Sequence, residues 1–310
     1  MNRALIFGTA LSTIALSGCG VLDSDLQHRG TLNESVDGVV MFEDGDLGHA
    51  GMRGTTCGVT PDGGLTTDVD VEDTEEETVV DGTTNGDGAV VLTRTRNEIQ
   101  VIHDSVVGSF DDPTIDRIDV QGVVNAKLAG EQIVTVDGCN VSWMDFSGAI
   151  DDRVTLDDTQ CMGMGSVLDV DVNNATAYIS VDGQVASVTA SGMTILGQGD
   201  MLSFSALEDG VLAANLEQPG IRFLGSDGSV RWERGTVDNV VSIHELGARG
   251  WMAALTESST GAGRLMILDA WTGDLVKEFD LPGRAEIEAS GNGETIALVV
   301  DRAVHYYRLR

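Results

Sequence analysis

The sequence predicts an all-β chain folded as a single β-propeller, with seven four-stranded blades closed by pairing of the N- and C-terminal strands. Three observations carry this expectation. A grammar of two short β-runs joined by an Asp-Gly or similar turn recurs from end to end. Its copies end about forty residues apart, the spacing of four-strand repeats. No long segment carries the 3.6-residue apolar period of an amphipathic helix.

The clearer copies end at Gly108, Gly148, Gly192, Gly228 and Gly273, spaced by 40, 44, 36 and 45 residues. A weaker copy ends at Gly64, and a partial one, "GNGETIALVVDRAVHYYRLR", closes the chain. The runs between hairpins supply the other two strands of each blade, as "LVKEFDLP" and "AEIEAS" do after Gly273. The acidic stretch 65–82, "LTTDVDVEDTEEETVVDG", fits the same slot, because Val69, Val71 and Val79-Val80 give it the apolar positions of an outer and an inner strand. It is not an EF-hand, since neither it nor "DVDVNN" at 169–174 has the central Gly and closing Glu of that loop. The last copy stops after its third strand. Residues 25–38, "DLQHRGTLNESVDG", read as the missing outer strand followed by the first blade's inner strand, which would remove the open edge.

The propeller domain is thus expected over 25–310. Ahead of it, Arg3 and the uncharged run Ala4–Leu16 form a short signal segment, 1–18, too short to span a bilayer. It ends in Leu16-Ser17-Gly18-Cys19, which resembles the lipobox of bacterial lipoproteins. That resemblance implies a mature chain starting at a lipidated Cys19, followed by a tether over 19–24. It also implies location in the cell envelope, with Gly20 after the Cys favouring the outer membrane.

Fifty acidic residues against 18 basic ones give a net charge of −32, and Lys127 and Lys277 are the only lysines. Such a surface repels nucleic acid and anionic head groups, which makes both poor partner candidates. The same balance resembles proteins of salt-adapted organisms, where salt screens the repulsion among carboxylates. Beyond Cys19 there are three cysteines, Cys57, Cys139 and Cys161. In an oxidising compartment one pair and one free thiol is the simplest outcome, with Cys139 and Cys161 the expected pair; two unpaired buried thiols is the alternative.

"LMILDAWTGDLVKEF" is similar to the "ALDAxTGxxxW" repeat of the pyrroloquinoline-quinone-like (PQQ-like) propellers, and "IRFLGSDGSVRWER" is a degenerate copy with Trp232 at the Trp position. WD40-type and YVTN-type propellers share the grammar. A lipidated propeller of this kind resembles the BamB outer-membrane assembly lipoproteins, although that family has eight blades and a longer chain. The resemblance implies architectural roles for the repeat turns Asp104 and Gly108, Asp145 and Gly148, Asp227 and Gly228, and Asp269, Thr272 and Gly273. The Asp would accept from turn amides, and the Gly would take the left-handed conformation.

Signs of chemistry are few. The adjacent cysteine pair of quinone-dependent propeller enzymes is missing, and Trp143, Trp232, Trp251 and Trp271 sit in hairpins, where packing explains them. His28, His49, His103, His244 and His305 are scattered one to a segment, without metal-ligand spacing. No Gly-x-Ser-x-Gly turn is present. The expectation is a monomeric, non-enzymatic envelope scaffold without cofactor or metal, binding a protein or peptide at one mouth of the ring. The alternative is a lactonase-type metal hydrolase or a degenerate quinoprotein.

Overall fold

In a computed structural model of the protein, the residues described are 26–32, 38–41, 48–52, 55–59, 65–70, 78–85, 88–94, 98–104, 114–120, 123–156, 168–171, 176–181, 184–198, 201–215, 219–246, 250–281, 286–289, 295–300 and 303–310. They hold 28 strands, and no helix among them is long and apolar enough to cross a membrane.

The strands form seven four-stranded antiparallel sheets. The first contains β2 (Gly38–Met41), β3 (Gly48–Met52), β4 (Thr55–Val59) and β5 (Leu65–Asp70). The second contains β6 (Thr78–Asn85), β7 (Gly88–Arg94), β8 (Glu98–Asp104) and β9 (Thr114–Asp119). The third contains β10 (Val123–Ala129), β11 (Gln132–Asp137), β12 (Asn140–Asp145) and β13 (Ile150–Thr155). The fourth contains β14 (Leu168–Asp171), β15 (Thr176–Val181), β16 (Gln184–Thr189) and β17 (Gly192–Gln198). The fifth contains β18 (Met201–Leu207), β19 (Gly210–Asn215), β20 (Gly220–Gly225) and β21 (Val230–Gly235). The sixth contains β22 (Asn239–Glu245), β23 (Trp251–Glu257), β24 (Gly263–Asp269) and β25 (Leu275–Leu281). The seventh combines β26 (Glu286–Ala289), β27 (Thr295–Val300) and β28 (Ala303–Leu309) with β1 (Leu26–Leu32).

β1 runs antiparallel to β28, from Leu26 opposite Leu309 to Leu32 opposite Val304, with one irregularity between His28 and Gly30. The first strands touch in the order β2, β6, β10, β14, β18, β22 and β26, and β26 touches β2. The inner strand of the first sheet begins only at Gly38, at the very end of the 25–38 segment from which it was expected. The residues between β1 and β2 lie outside the description.

Sequence and burial agree strand by strand. Middle strands are buried on both faces: "IVTV" of β11, "VSWM" of β12 and "MAALT" of β23 are continuous buried runs. Outer strands face solvent along most of their length, and "IDDRVT" of β13 and "VRWERG" of β21 carry charges where a middle strand carries Val or Leu. A middle strand sandwiched between two other sheets has no solvated face, hence its near-continuous apolar run.

The apolar core is accordingly divided into layers between successive sheets. Leu92, Val101, Leu128 and Ile133 fill the joint between the second and third. Val134, Trp143, Ile179 and Val188 fill the next, and Tyr178, Phe204, Val211 and Leu224 the one after. Leu212, Phe223, Met252 and Leu268 join the fifth sheet to the sixth, and Leu255, Ile267, Leu298 and Tyr307 join the sixth to the seventh.

The inner edges are joined by polar contacts. Ser203 and Ser205 of β18 each accept, at 3.1 Å, a backbone N–H of β22, from Ile243 and Glu245. Asp81 of β6 accepts the N–H of Leu128 in β10 at 2.8 Å. Each contact occupies a donor that an innermost strand would otherwise leave unpaired on its edge.

Removing residues 304–310 takes away most of β28 and leaves β1 without its partner. A thermal melt of the truncated chain is expected to show a lower midpoint, by ten degrees or more if the seventh sheet is lost, on the scale of roughly 2–4 °C per kcal/mol for a chain this long. An unchanged midpoint would refute the joint role of the termini.

Candidate functional site

Because neighbouring strands are antiparallel, turns between first and second strands and between third and fourth strands emerge on one face of the molecule. Turns between second and third strands, and the links from sheet to sheet, emerge on the other. The repeat turns recognised in the sequence belong to the first of these faces.

Three of them have related geometry. In Asp145–Ala149 the N–H of Gly148 bonds to the carbonyl of Asp145 at 3.0 Å, and that of Asp145 to the carbonyl of Ala149 at 2.9 Å. The Asp145 carboxylate accepts from the N–H and hydroxyl of Ser147 at 2.9 and 2.7 Å and from the N–H of Ala149 at 3.0 Å. In Asp269–Asp274, one residue longer, Asp269 accepts from the N–H groups of Trp271 and Thr272 at 3.0 and 2.8 Å. Thr272 donates its hydroxyl to Asp274 at 3.0 Å.

The third turn has a different register. Its backbone bonds run from Gly225 to Ser229, so Gly225 occupies the place of Asp145 and Asp227 the place of Ser147. From there Asp227 accepts the N–H and hydroxyl of Ser229 at 3.0 and 2.6 Å. The carboxyls of Asp145 and Asp227 are both held below the ordinary value, chiefly by the hydroxyls of Ser147 and Ser229. A fourth turn of the same form, Ser258–Ala262, lies between β23 and β24 on the opposite face and was not singled out in the sequence. Its "SSTG" has the spacing of "DFSG" at 145–148, and that was the available signal.

The glycines do more than turn the chain. Gly148, Gly228 and Gly273 have φ of 85°, 77° and 74°, and each turn also lies against the outer strand of the preceding sheet. A Cβ on Gly148 would stand 2.9 Å from Ile118 of β9, one on Gly228 3.5 Å from the carbonyl of Leu196 in β17, and one on Gly273 2.7 Å from the indole of Trp232 in β21. Trp232 donates its indole N–H to the carbonyl of Ala270 at 3.0 Å, and Arg234 donates to the carbonyl of Gly273 at 3.0 Å.

Of the other predicted residues, Asp104 ends β8, while Cys19, Gly108 and Cys161 lie outside the described residues. Cys139 is disulfide-bonded. It sits in the turn between β11 and β12.

The tryptophans do not all conform to the packing expectation. Trp143 is 3 % exposed, and Trp251 packs against the layer between the sixth and seventh sheets. Trp271 is 47 % exposed; its indole meets Phe223 edge-on at 5.7 Å between ring centres and lies over Gly250, where a Cβ would stand 3.3 Å from the indole nitrogen. Histidines remain scattered. His103 meets Asp116 at 3.2 Å and Phe146 of the next sheet edge-on at 5.3 Å. His244 stands on the innermost strand of the sixth sheet, where desolvation, and secondarily the charge of Lys127 on the innermost strand of the third sheet, push its pKa down to about 4. Among the described residues no group of three or more His, Cys, Asp or Glu is placed to hold a metal ion.

No family model matches the chain, and no curated protein matches it. Solved structures do. The chain is similar to the β-propeller domain of Cps50 (Swd1) from Myceliophteria thermophila, with a TM-score of 0.70 at 11 % identity over 92 % of this chain and 100 % of that one. It is similar to U3-55K, with a TM-score of 0.67 at 9 % identity over 93 % and 99 %, and to Hsv2 from Kluyvelomyces marxianus, with a TM-score of 0.63 at 13 % identity over 87 % and 90 %. At such identity the likeness establishes the fold, a β-propeller, and nothing further.

Two outcomes follow from this geometry. Gly273→Ala must adopt a left-handed conformation, at about 1–2 kcal/mol, and displace Trp232, at about 1–3 kcal/mol more. Gly138→Ala, with φ of 55° and no atom within 4 Å of the new methyl, bears only the first cost. Denaturant unfolding of the two variants should differ by at least about 1 kcal/mol, and equal losses would show that the indole does not rest on this turn. For His244 the folded pKa lies below the unfolded one, so the unfolded chain binds the extra proton and stability falls as the pH drops from 6.5 towards 4. His244→Gln should flatten that decline by on the order of 1–3 kcal/mol; an unaltered pH profile of unfolding would contradict an imidazole held neutral in the fold.

Proposed function

We propose that this chain is a membrane-anchored, non-enzymatic interaction scaffold of the bacterial cell envelope. It is a closed seven-bladed ring of the PQQ-like or WD40-like repeat type, binding a protein or peptide at one mouth. The observation that carries the reading is the propeller itself, matched over nine-tenths of the chain by a β-propeller domain. Seven four-stranded sheets and the pairing of β1 with β28 support the blade number and the closure. The lipobox-like Leu16-Ser17-Gly18-Cys19 supports a lipid anchor, and the few residues between Cys19 and β1 would hold the ring within roughly 20 Å of the membrane.

The disulfide at Cys139 supports an oxidising compartment. Cys161 is proposed as its partner: it is the next cysteine in the sequence, between the end of β13 and the start of β14. Cys57 is in β4 of the first sheet, with the whole second sheet intervening.

Cys19→Ala is expected to move the protein from the membrane fraction to the soluble or uncleaved-precursor fraction, and unchanged fractionation would remove the anchor. Mass mapping of the unreduced wild-type chain should return a peptide joining Cys139 to Cys161. The scaffold itself is tested by cross-linking and pull-down from detergent-solubilised envelope. A partner recovered in stoichiometric amount is expected; none, together with a tightly bound metal at one equivalent, would favour a hydrolase.

A further inference from the structure

The scaffold reading leaves open which mouth engages a partner and what that partner is like. Exposed apolar side chains point to one face. Ile150, Val230 and Leu275 are 46 %, 55 % and 40 % exposed, and each is the first residue of an outer strand, directly after a turn between third and fourth strands. Trp271 is in such a turn, and Val276 follows Leu275. The remaining exposed large apolar side chains among the described residues are Ile195, 41 % exposed within the outer strand β17, and Val237, 92 % exposed in the link between the fifth and sixth sheets on the other face.

Half-exposing an indole leaves on the order of 100 Å² of a large apolar side chain in water, and the fold does not require it here. Gly273 and Ala270 already receive Trp232 from the neighbouring sheet, and Asp269 holds the turn through backbone amides. The position two residues after the start of the turn, Trp271 here, needs no aromatic ring to close the hairpin, since it is Ser147 in Asp145–Ala149 and Asp227 in Gly225–Ser229.

The charges on the same face are of one sign to a large degree. Glu131 lies in the turn between β10 and β11, Glu208 and Asp209 in the turn between β18 and β19, and all three are exposed. Asp274 is exposed beside Trp271, and Asp227 in the adjacent sheet is 63 % exposed. Arg231, the second residue of β21 after that turn, is 3.8 Å from Asp227. Two arginines of third strands meet acids of the adjoining outer strands, Arg222 with Glu233 and Arg264 with Glu278.

We infer that the face carrying the first-to-second and third-to-fourth strand turns is the docking face, and that Trp271 is its anchor for a cationic, partly apolar segment of a protein partner. The indole offers an apolar surface and a cation–π face to Lys or Arg, the apolar strand starts offer further contact, and the carboxylates attract the segment and exclude acidic competitors. This rests on the scaffold reading and specifies it.

The test uses the full mature chain and a short synthetic peptide rich in Arg and Leu, with a counterpart in which every Arg is Glu. Wild-type protein should bind the basic peptide with a change in Trp emission and ignore the acidic one. Trp271→Ala should weaken binding about tenfold or more, as loss of an aromatic anchor does, with its thermal midpoint within a few degrees of wild type. Trp271→Phe should retain part of the affinity. Asp209→Asn with Asp274→Asn should weaken binding at low salt and little at high salt. Equal affinity of wild type and Trp271→Ala, or equal binding of the acidic peptide, would overturn the proposal. The envelope pull-down separates the two levels: a partner retained by Trp271→Ala sinks the docking face and leaves the scaffold, whereas the absence of any partner from wild type sinks the scaffold.

Discussion

Burial between neighbouring sheets is the constraint on which everything else here depends. A single four-stranded sheet such as β10–β13 has two apolar middle strands and no helix to cover either face. Its only available cover is another sheet of the same kind, and that sheet has the same need on its far side. An arrangement that returned to its start would satisfy every sheet, and β26 is in contact with β2. The layered cores, the apolar middle strands and the polar outer strands are three consequences of one requirement.

Much of this was legible in the sequence because the relevant signals are local. Tight turns with Asp, Ser or Thr before Gly mark hairpins, and continuous apolar runs mark middle strands, so β7–β8, β11–β12 and β23–β24 could be read without knowing their neighbours. Even the pairing of β1 with the last sheet was legible, because the last copy visibly lacks an outer strand while an unassigned strand stands near the start. What could not be read depends on contacts far apart in the chain. Nothing near Gly273 in the sequence says that Trp232 rests on it. The register of "GSDG" looks like that of "DFSG" until backbone bonds show that Asp227 replaces Ser147 and not Asp145. Trp271 and Trp232 are both tryptophans of hairpins, but one points into the joint between two sheets and the other half out of it.

The charge of −32 interacts with this architecture in a particular way. Ion pairs such as Glu98 with Arg117 and Arg264 with Glu278 join third to fourth strands at 3.0 Å and are well exposed, so each contributes little. The surplus carboxylates repel one another across a surface that the apolar layers hold together. Dissolved salt weakens that repulsion without touching the buried layers, which makes the fold tolerant of ionic strength, whereas the proposed attraction for a cationic segment would be sensitive to it.

The pairing of β1 with β28 also has a consequence in time. Among the described strands the earliest in the chain pairs with the latest, so Leu26 lacks its β28 partner until Leu309 has been synthesised. Every intermediate length of nascent chain presents an open edge at both ends of the growing stack, however many sheets have already formed between them. A chain built in this way cannot complete its seventh sheet until β28 has been made.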